Sequence, residues 1–186
     1  RRGGLSLRGH MNGSMDFVRR LVVGTMVAAG GASAAGADDV ILPCVRDNTL
    51  IELGGDLSNG AGDGIYSGAT LRAGLRRGLI RFDLASIPAG STVTSASVEL
   101  TLIQTTAPDG PASLHRLLAD WGEGASLAGG GLGTAAAAGD ATWVARFFGS
   151  SAWTTPGGDF ATAPSATTTI IAIAATQLFA STPELV

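Results

Sequence analysis

Turn-forming residues interrupt this chain so often that only short extended segments fit between them. Glycine occurs 28 times and aromatic residues make up only 5% of the 186 positions, a mix that favours short strands and many turns over long helices. The clearest strand is 93–103, where Ala96, Val98, Leu100 and Leu102 fall on one face and Ser97, Glu99 and Thr101 on the other. That is the period-two pattern of a half-buried strand. The run 78–84 repeats it, with Leu79, Arg81 and Asp83 set against Ile80, Phe82 and Leu84. Shorter strand runs are expected at 40–45, 49–53, 65–66, 70–73, 112–118, 141–147 and 167–174, with 112–118 returning on 93–103 as a hairpin across the Pro108-to-Pro111 turn. Many short strands at this spacing predict an all-β chain, a jelly-roll-like β-sandwich.

The first 37 residues read differently. Arg19 and Arg20 precede an apolar, small-residue run over 21–30, which continues to an A-x-A site at Ala35-Gly36-Ala37. A basic start, a short apolar centre and a small-residue cleavage site are the parts of a secretory signal peptide. The strongly apolar stretch is too short for a membrane-spanning helix, which needs about 20 such residues. The expected organisation is therefore a leader over 1–37, with a signal-peptide helix and a start at Met11 or Met15, followed by one domain over 38–186. The expected location is extracellular or at the cell surface. Pro183-Glu184-Leu185-Val186 reads as the beginning of a new element, so the sandwich is expected to lack its closing C-terminal strands.

From Asp38 onward there are fourteen acidic residues and seven arginines, with no lysine anywhere in the chain. An acidic domain disfavours nucleic acid and anionic membranes as partners, since both attract basic surfaces. Cys44 is the single cysteine and cannot close an internal disulfide. With Pro43 before it, it is read as a small buried apolar residue on the first strand and not as a lipid anchor.

The motif Asp47-Asn48-Thr49-Leu50-Ile51-Glu52 resembles that of the DNRLRE domain, a bacterial extracellular β-sandwich related to the family 96 carbohydrate-binding modules. Thr49 and Ile51 stand where that motif has arginines. Three further blocks resemble the family in the same order, over 77–88 with 93–96, over 114–124, and over 139–143, and the segment 150–159 is similar as well. The resemblance covers about 40–186. It implies a non-catalytic module for polysaccharide, or else a structural or adhesive surface domain with no small ligand.

The resemblance also implies a structural Ca²⁺, because related sandwiches often carry one. Asp47, Asn48, Glu52 and Asp140 are its candidate ligands, lying in the matching blocks and offering hard oxygen donors. The alternative is that Asp47 and Asn48 form an Asx turn and that Glu52 faces solvent. Sugar binding needs aromatic faces and polar groups. Trp121 and Trp143 sit among apolar residues and read as core, whereas Trp153, in a Thr/Pro/Gly loop, is expected to be exposed. Arg76 and Arg77 are candidates for the carboxylates of an acidic polysaccharide, with cross-strand pairing to acids such as Glu99 or Asp83 as the alternative.

No enzyme is expected. His115 is the one histidine after the leader, it is read as structural, and no metalloprotease, redox or nucleophile-elbow motif is present. The Gly129–Gly133 run lacks the Lys-Ser/Thr of a phosphate loop and reads as plain loop.

Overall fold

The computed structural model describes residues 2–9, 13–26, 37–70 and 74–186, with side chains described at Leu5, over 39–70 and over 74–186. These residues form thirteen strands and no helix. In chain order they are β1 (Arg2–Gly9), β2 (Gly13–Met26), β3 (Ala37–Ile51), β4 (Leu57–Ser58), β5 (Ile65–Thr70), β6 (Gly74–Asp83), β7 (Thr92–Thr105), β8 (Gly110–Arg116), β9 (Thr134–Ala135), β10 (Ala145–Phe147), β11 (Ser151–Ala152), β12 (Ala166–Ile170) and β13 (Thr176–Phe179). No helix among the described residues is long and apolar enough to cross a membrane.

The all-β expectation holds, and the sandwich is one antiparallel sheet folded over on itself. One layer carries β12, β8, β1 and β6 side by side; the other carries β13, β7 and β2. Two strands belong to both layers. The first half of β3 pairs with β2, from Ala37 opposite Met26 to Pro43 opposite Arg20. Its second half, from Cys44 to Ile51, pairs with β6 across a bulge between Cys44 and Arg46. β5 likewise pairs with β2 and with β6.

The main core fills the space between the layers. β7 contributes Ala96, Val98, Leu100 and Leu102, each at most 5% exposed, as its alternation predicts. Ile80 and Phe82 of β6, Leu42 of β3, Ile65 of β5, and Ala112 and Leu114 of β8 face them.

Several sequence expectations need correction. β7 and β8 do not form a hairpin: β7 pairs with β2 and β13, whereas β8 pairs with β1 and β12. The turn between them carries the chain from one layer to the other, because Leu100 and Leu114 both belong in the space between. The runs 40–45 and 49–53 are not two strands but parts of one, β3. The run 141–147 keeps only three strand residues, β10. Of the run 70–73, residues 71–73 lie outside the described residues.

One further strand lies beyond the run 167–174. β12 stops at Ile170 and β13 pairs with β7, Phe179 lying opposite Val98. Gln177 fixes the turn between them, its Oε1 accepting from Ile171 N–H at 3.0 Å and its Nε2 donating to the carbonyls of Ile171 and Ala175.

Within the expected leader, Arg2–Gly9 and Gly13–Met26 are described, as strands β1 and β2; β2 lies between β7 on one side and β5 and β3 on the other. Met11 and the cleavage-site residues Ala35 and Gly36 lie outside the described residues; Ala37 is the first residue of β3.

β6 departs from a half-buried strand in a way that shapes the rest of the molecule. Arg76 through Phe82 are all buried. Ile80 and Phe82 enter the main core, while Leu79, on the opposite face, joins Leu50, Trp121, Ala141, Trp143 and Trp153 in a second apolar cluster. The irregular stretch from about 117 to 165 therefore lies over the outer face of β6 and β3 as a third layer.

Candidate functional site

The third layer is fastened by arginine. Arg77 Nη1 donates to the Gly157 carbonyl, and its guanidinium lies 4.6 Å from the Trp143 ring centroid and 5.1 Å from that of Phe160. Arg46 Nη1 donates to the Trp121 carbonyl at 2.6 Å, and Arg81 Nη1 to Asp120 Oδ1 at 2.8 Å. Arg76 Nε donates to the Gly131 carbonyl at 2.7 Å. A fixed fork of N–H donors suits loop carbonyls that no strand reaches. Gly157 shows how tight the fit is: its φ is +90°, and a Cβ there would lie 2.4 Å from Arg77 Nη1 and 2.8 Å from the Trp143 ring.

These contacts revise the expected ligand residues. Arg76, Arg77 and Trp153 are 1%, 9% and 5% exposed. Trp153 is not an exposed platform. It packs in the second cluster and its Nε1 donates to the Thr142 carbonyl at 2.9 Å. Its Thr/Pro/Gly surroundings suggest a free loop, but here that loop is the cover of a sheet face. Arg76 and Arg77 anchor loops from buried positions. Burial pushes the Arg76 guanidinium down from its ordinary value, and the charge of Glu52 opposes that shift. Trp121 and Trp143 are core, as expected.

Asn48 is the polar centre joining the loops to the sheet. It is fully buried, and its Oδ1 accepts from Thr49 N–H at 2.6 Å, Ser58 Oγ at 3.0 Å and Asn59 N–H at 3.1 Å. Its Nδ2 donates to the Glu123 carbonyl at 2.7 Å, while Glu123 Oε1 accepts from Asp47 N–H at 2.9 Å. Asp140, also fully buried, accepts from Ala125 N–H through Oδ1 and from Ala137 N–H through Oδ2. Gly124, with φ +76°, passes so close that a Cβ there would sit 1.3 Å from Asp140 Oδ1.

Three of the four expected calcium ligands are already engaged within the protein. Asn48 Oδ1 already accepts three hydrogen bonds, and both Asp140 oxygens face backbone N–H groups. Glu52 points elsewhere, its Oε2 accepting from Leu75 N–H at 2.7 Å. Among the described residues no group of three or more His, Cys, Asp or Glu side chains is placed to hold a metal. Asn48 lies within β3, opposite Leu79, and not in an Asx turn: its Oδ1 serves Thr49, Ser58 and Asn59. Accordingly, the thermal midpoint of the chain should be the same in excess Ca²⁺ and in chelator. A calcium-dependent rise would point to a metal site assembled from other groups.

His115 is structural in its contacts. It is buried, its Nδ1 lies 2.8 Å from the Ala161 carbonyl and its Nε2 lies 2.9 Å from Ser113 Oγ. A carbonyl only accepts, so Nδ1 carries the proton and Ser113 donates to Nε2.

Two carboxylates tie the third layer to pH. Desolvation acts to raise the Asp120 carboxyl, but the Trp121 N–H and the Arg81 and Arg46 guanidiniums outweigh it and hold the group below the usual carboxylate range. Asp159 is held down in the same direction: desolvation is outweighed by the N–H groups of Thr154 and Thr155, with help from Arg146. A depressed carboxyl stabilises the fold fully above its unfolded value, about 3.9 for Asp, and loses that effect as pH falls through the folded value. The chain should thus lose stability below about pH 4, and Asp120→Asn should flatten that acid limb in melts taken across pH. An unchanged acid limb in the variant would remove Asp120 from the account.

Among the surface concavities lined by described residues are these two. One, about 470 Å³, is lined by Leu118, Ala119, Thr154, Thr155, Gly158, Asp159 and Phe160. Asp159 there is engaged by the backbone of its own loop. The other, about 320 Å³, runs between β5 and β7 under the glycine loop, with Tyr66, Thr70, Gln104, Thr106, Leu132 and the backbone of Gly129–Gly131 around it. It combines an aromatic ring, an amide, hydroxyls and glycine backbone, with the loop wall held by Arg76 at the Gly131 carbonyl and by Gly133 N–H at that of Gly130. The sequence offered two signals for it, Tyr66 among few aromatics and the glycine run at 129–133. Neither pointed to the other, because 63 residues separate Tyr66 from Gly129. No family model, curated protein or solved structure matches this chain.

Proposed function

We propose that this chain is a non-catalytic, exported binding module of the carbohydrate-binding type, and that the groove between β5 and β7 is its ligand face. The observation that carries this reading is the groove itself. A sugar presents an apolar ring face and a rim of hydroxyls, which call for one aromatic surface and several fixed polar groups. Tyr66 with Gln104, Thr70, Thr106 and the Gly129–Gly131 backbone supplies that combination on sheet strands. The ordered blocks that resemble the DNRLRE family support the same class. With Arg76 and Arg77 buried, acidic polysaccharide loses its special claim over neutral glycans.

The residues that line the groove all follow Ala37, whereas β2, which lies between β5 and β7, precedes it, so binding should be compared before and after processing. Export is the second part of the proposal, and cleavage after Ala37 is the expected processing step. Mass spectrometry of the secreted product checks it, and a mature protein that keeps Met11 or Met15 would refute it. For binding, the full chain and Tyr66→Ala should be compared on a glycan array. A ligand bound by the wild type should weaken at least about tenfold in the variant, the loss of one stacking surface being worth over 1 kcal/mol. The second reading is a structural or adhesive domain with no small ligand. The burial of all three tryptophans favours it, and an array on which the wild type binds nothing would leave it standing.

A further inference from the structure

Asparagine followed by glycine is a chemically labile pair, because a residue without a Cβ lets its own backbone nitrogen turn back onto the asparagine side chain. The chain has two such pairs, Asn12-Gly13 and Asn59-Gly60. Asn12 lies outside the described residues. Asn59 and Gly60 directly follow β4, and every polar group of Asn59 is engaged. Its N–H donates to Asn48 Oδ1 at 3.1 Å, and its carbonyl accepts from Gly62 N–H at 3.2 Å. Its side chain is bonded at both ends, Oδ1 accepting from Ala128 N–H at 2.9 Å and Nδ2 donating to the Gly64 carbonyl at 3.3 Å.

Both halves of the pair are packed in place. Asn59 is 2% exposed, and Gly62 lies so close that a Cβ there would sit 2.2 Å from Asn59 Nδ2. Gly60 is buried too. A Cβ on it would lie 1.7 Å from the Glu123 carbonyl oxygen, and its N–H faces Ser126 Oγ at 3.4 Å. Glu123, Ser126 and Ala128 all belong to the third layer. Ring closure requires the Asn59 amide carbon to turn toward the Gly60 nitrogen, the Gly60 N–H to give up its proton, and ammonia to leave into water. A bonded amide at this depth, under a packed loop, obstructs all of these. Opening of the third layer removes the obstruction at both residues together.

We propose that Asn59-Gly60 is a deamidation site guarded by the third layer, and that its conversion is a one-way switch that keeps that layer, once open, from closing again. The Gly60 nitrogen bonds to Asn59 Cγ, the Cγ–Nδ2 bond breaks, and ammonia departs with the proton that the Gly60 amide gives up. Water then opens the cyclic imide at one carbonyl or the other, leaving aspartate or isoaspartate at position 59. Both products lose the Nδ2 donor. Aspartate sets a carboxylate oxygen against the Gly64 carbonyl at a buried position, where an unpaired charge is costly. Isoaspartate also lengthens the main chain by a methylene inside a loop with no spare room. The stretch bonded to Asn59 runs on into the Gly129–Gly133 loop, so conversion loosens that wall of the groove as well. The proposal needs neither a ligand in the groove nor any processing of the chain.

The test uses the full chain in mildly alkaline buffer, sampled over time by peptide mass mapping, which reads the replacement of NH2 by OH at Asn59. Wild type, Asn48→Ala and wild type unfolded in guanidinium chloride are compared. The unfolded chain should convert fastest. Asn48→Ala removes the acceptor of Asn59 N–H and should convert at least about tenfold faster than folded wild type, the rate following the open population. Equal rates for folded and unfolded wild type overturn the guard, and no conversion in the unfolded chain overturns the site. Equal rates for Asn48→Ala and wild type overturn the third layer as the gate. Asn59→Asp reads the switch directly: its thermal midpoint should fall by at least about 4 °C, and an unchanged midpoint overturns the proposal.

Discussion

Asn48→Ala should lower the unfolding free energy by about 4 kcal/mol. The substitution removes one acceptor that serves three donors and one donor that serves the Glu123 carbonyl. Each buried polar group left without a partner costs about 1–3 kcal/mol, and the losses overlap because the groups share one site. The damage should be uneven. All three tryptophans, Trp121, Trp143 and Trp153, sit in the cluster beneath the third layer, so tryptophan fluorescence reports that layer while far-ultraviolet circular dichroism reports the strands. In the variant the fluorescence transition should come at lower denaturant than the dichroism transition, as expected when one part opens before the rest. Asn48→Asp keeps the shared acceptor oxygen and should recover part of the loss. A loss below about 1 kcal/mol for the alanine variant, with coincident transitions, would show that the loops are held by other contacts.

Val98→Asp acts on the other side of the molecule and should cost at least about 4 kcal/mol, enough to unfold a marginally stable domain. Val98 is fully buried in the main core, with Phe179 of β13 in register beside it. A carboxylate there is desolvated, and protonating it near neutral pH consumes folding free energy as well. Both probes should now fail together, because the core between the layers supports β6, on which the third layer lies. Val98→Ala, which only shortens the side chain, should cost far less. Thermal midpoints for the three proteins decide the matter, and an unchanged midpoint in Val98→Asp would refute the placement of β7.

Why Val98 was legible in the sequence and Trp153 was not follows from what each reports. β7 alternates because one face meets the core and the other meets solvent, and a two-residue period records that difference directly. β6 meets core on one face and the loop layer on the other. Arg77 and Arg81 then read as solvent-facing although they lie under loops, bonded to Gly157 and Asp120. The loops had no period to read, so Trp153 resembled an exposed loop aromatic. Asn48 stood out as a polar residue before a strand run, but its contacts within β3 are those of neither a ligand nor an Asx turn. Its partners Ser58, Asn59 and Glu123 were invisible because they lie 10 to 75 positions away in the chain. The β7–β8 hairpin was inferred from a tight Pro-Asp-Gly-Pro turn, but a tight turn is as compatible with passing between layers as with pairing. β13 was missed because four residues are too few to establish an alternation.

The crossing between β7 and β8 also bears on how fast this chain reaches its fold. A hairpin there would have offered an early, local nucleus. Instead β8 waits for β12, more than fifty positions further on, and β7 waits for β13, with Thr101 opposite Thr176. Pairings that enclose such long stretches of chain must first overcome a loop-closure entropy that local turns avoid, and they slow folding across proteins of similar stability. The central strand of the core is thus made well before the residues that cover its edge. During synthesis, β7 leaves the ribosome some seventy residues ahead of its partner β13, at rates of about 5–20 residues per second. For those seconds Val98, Leu100 and Leu102 are available to any other extended chain, and a factor that binds short apolar strands would find its natural target there.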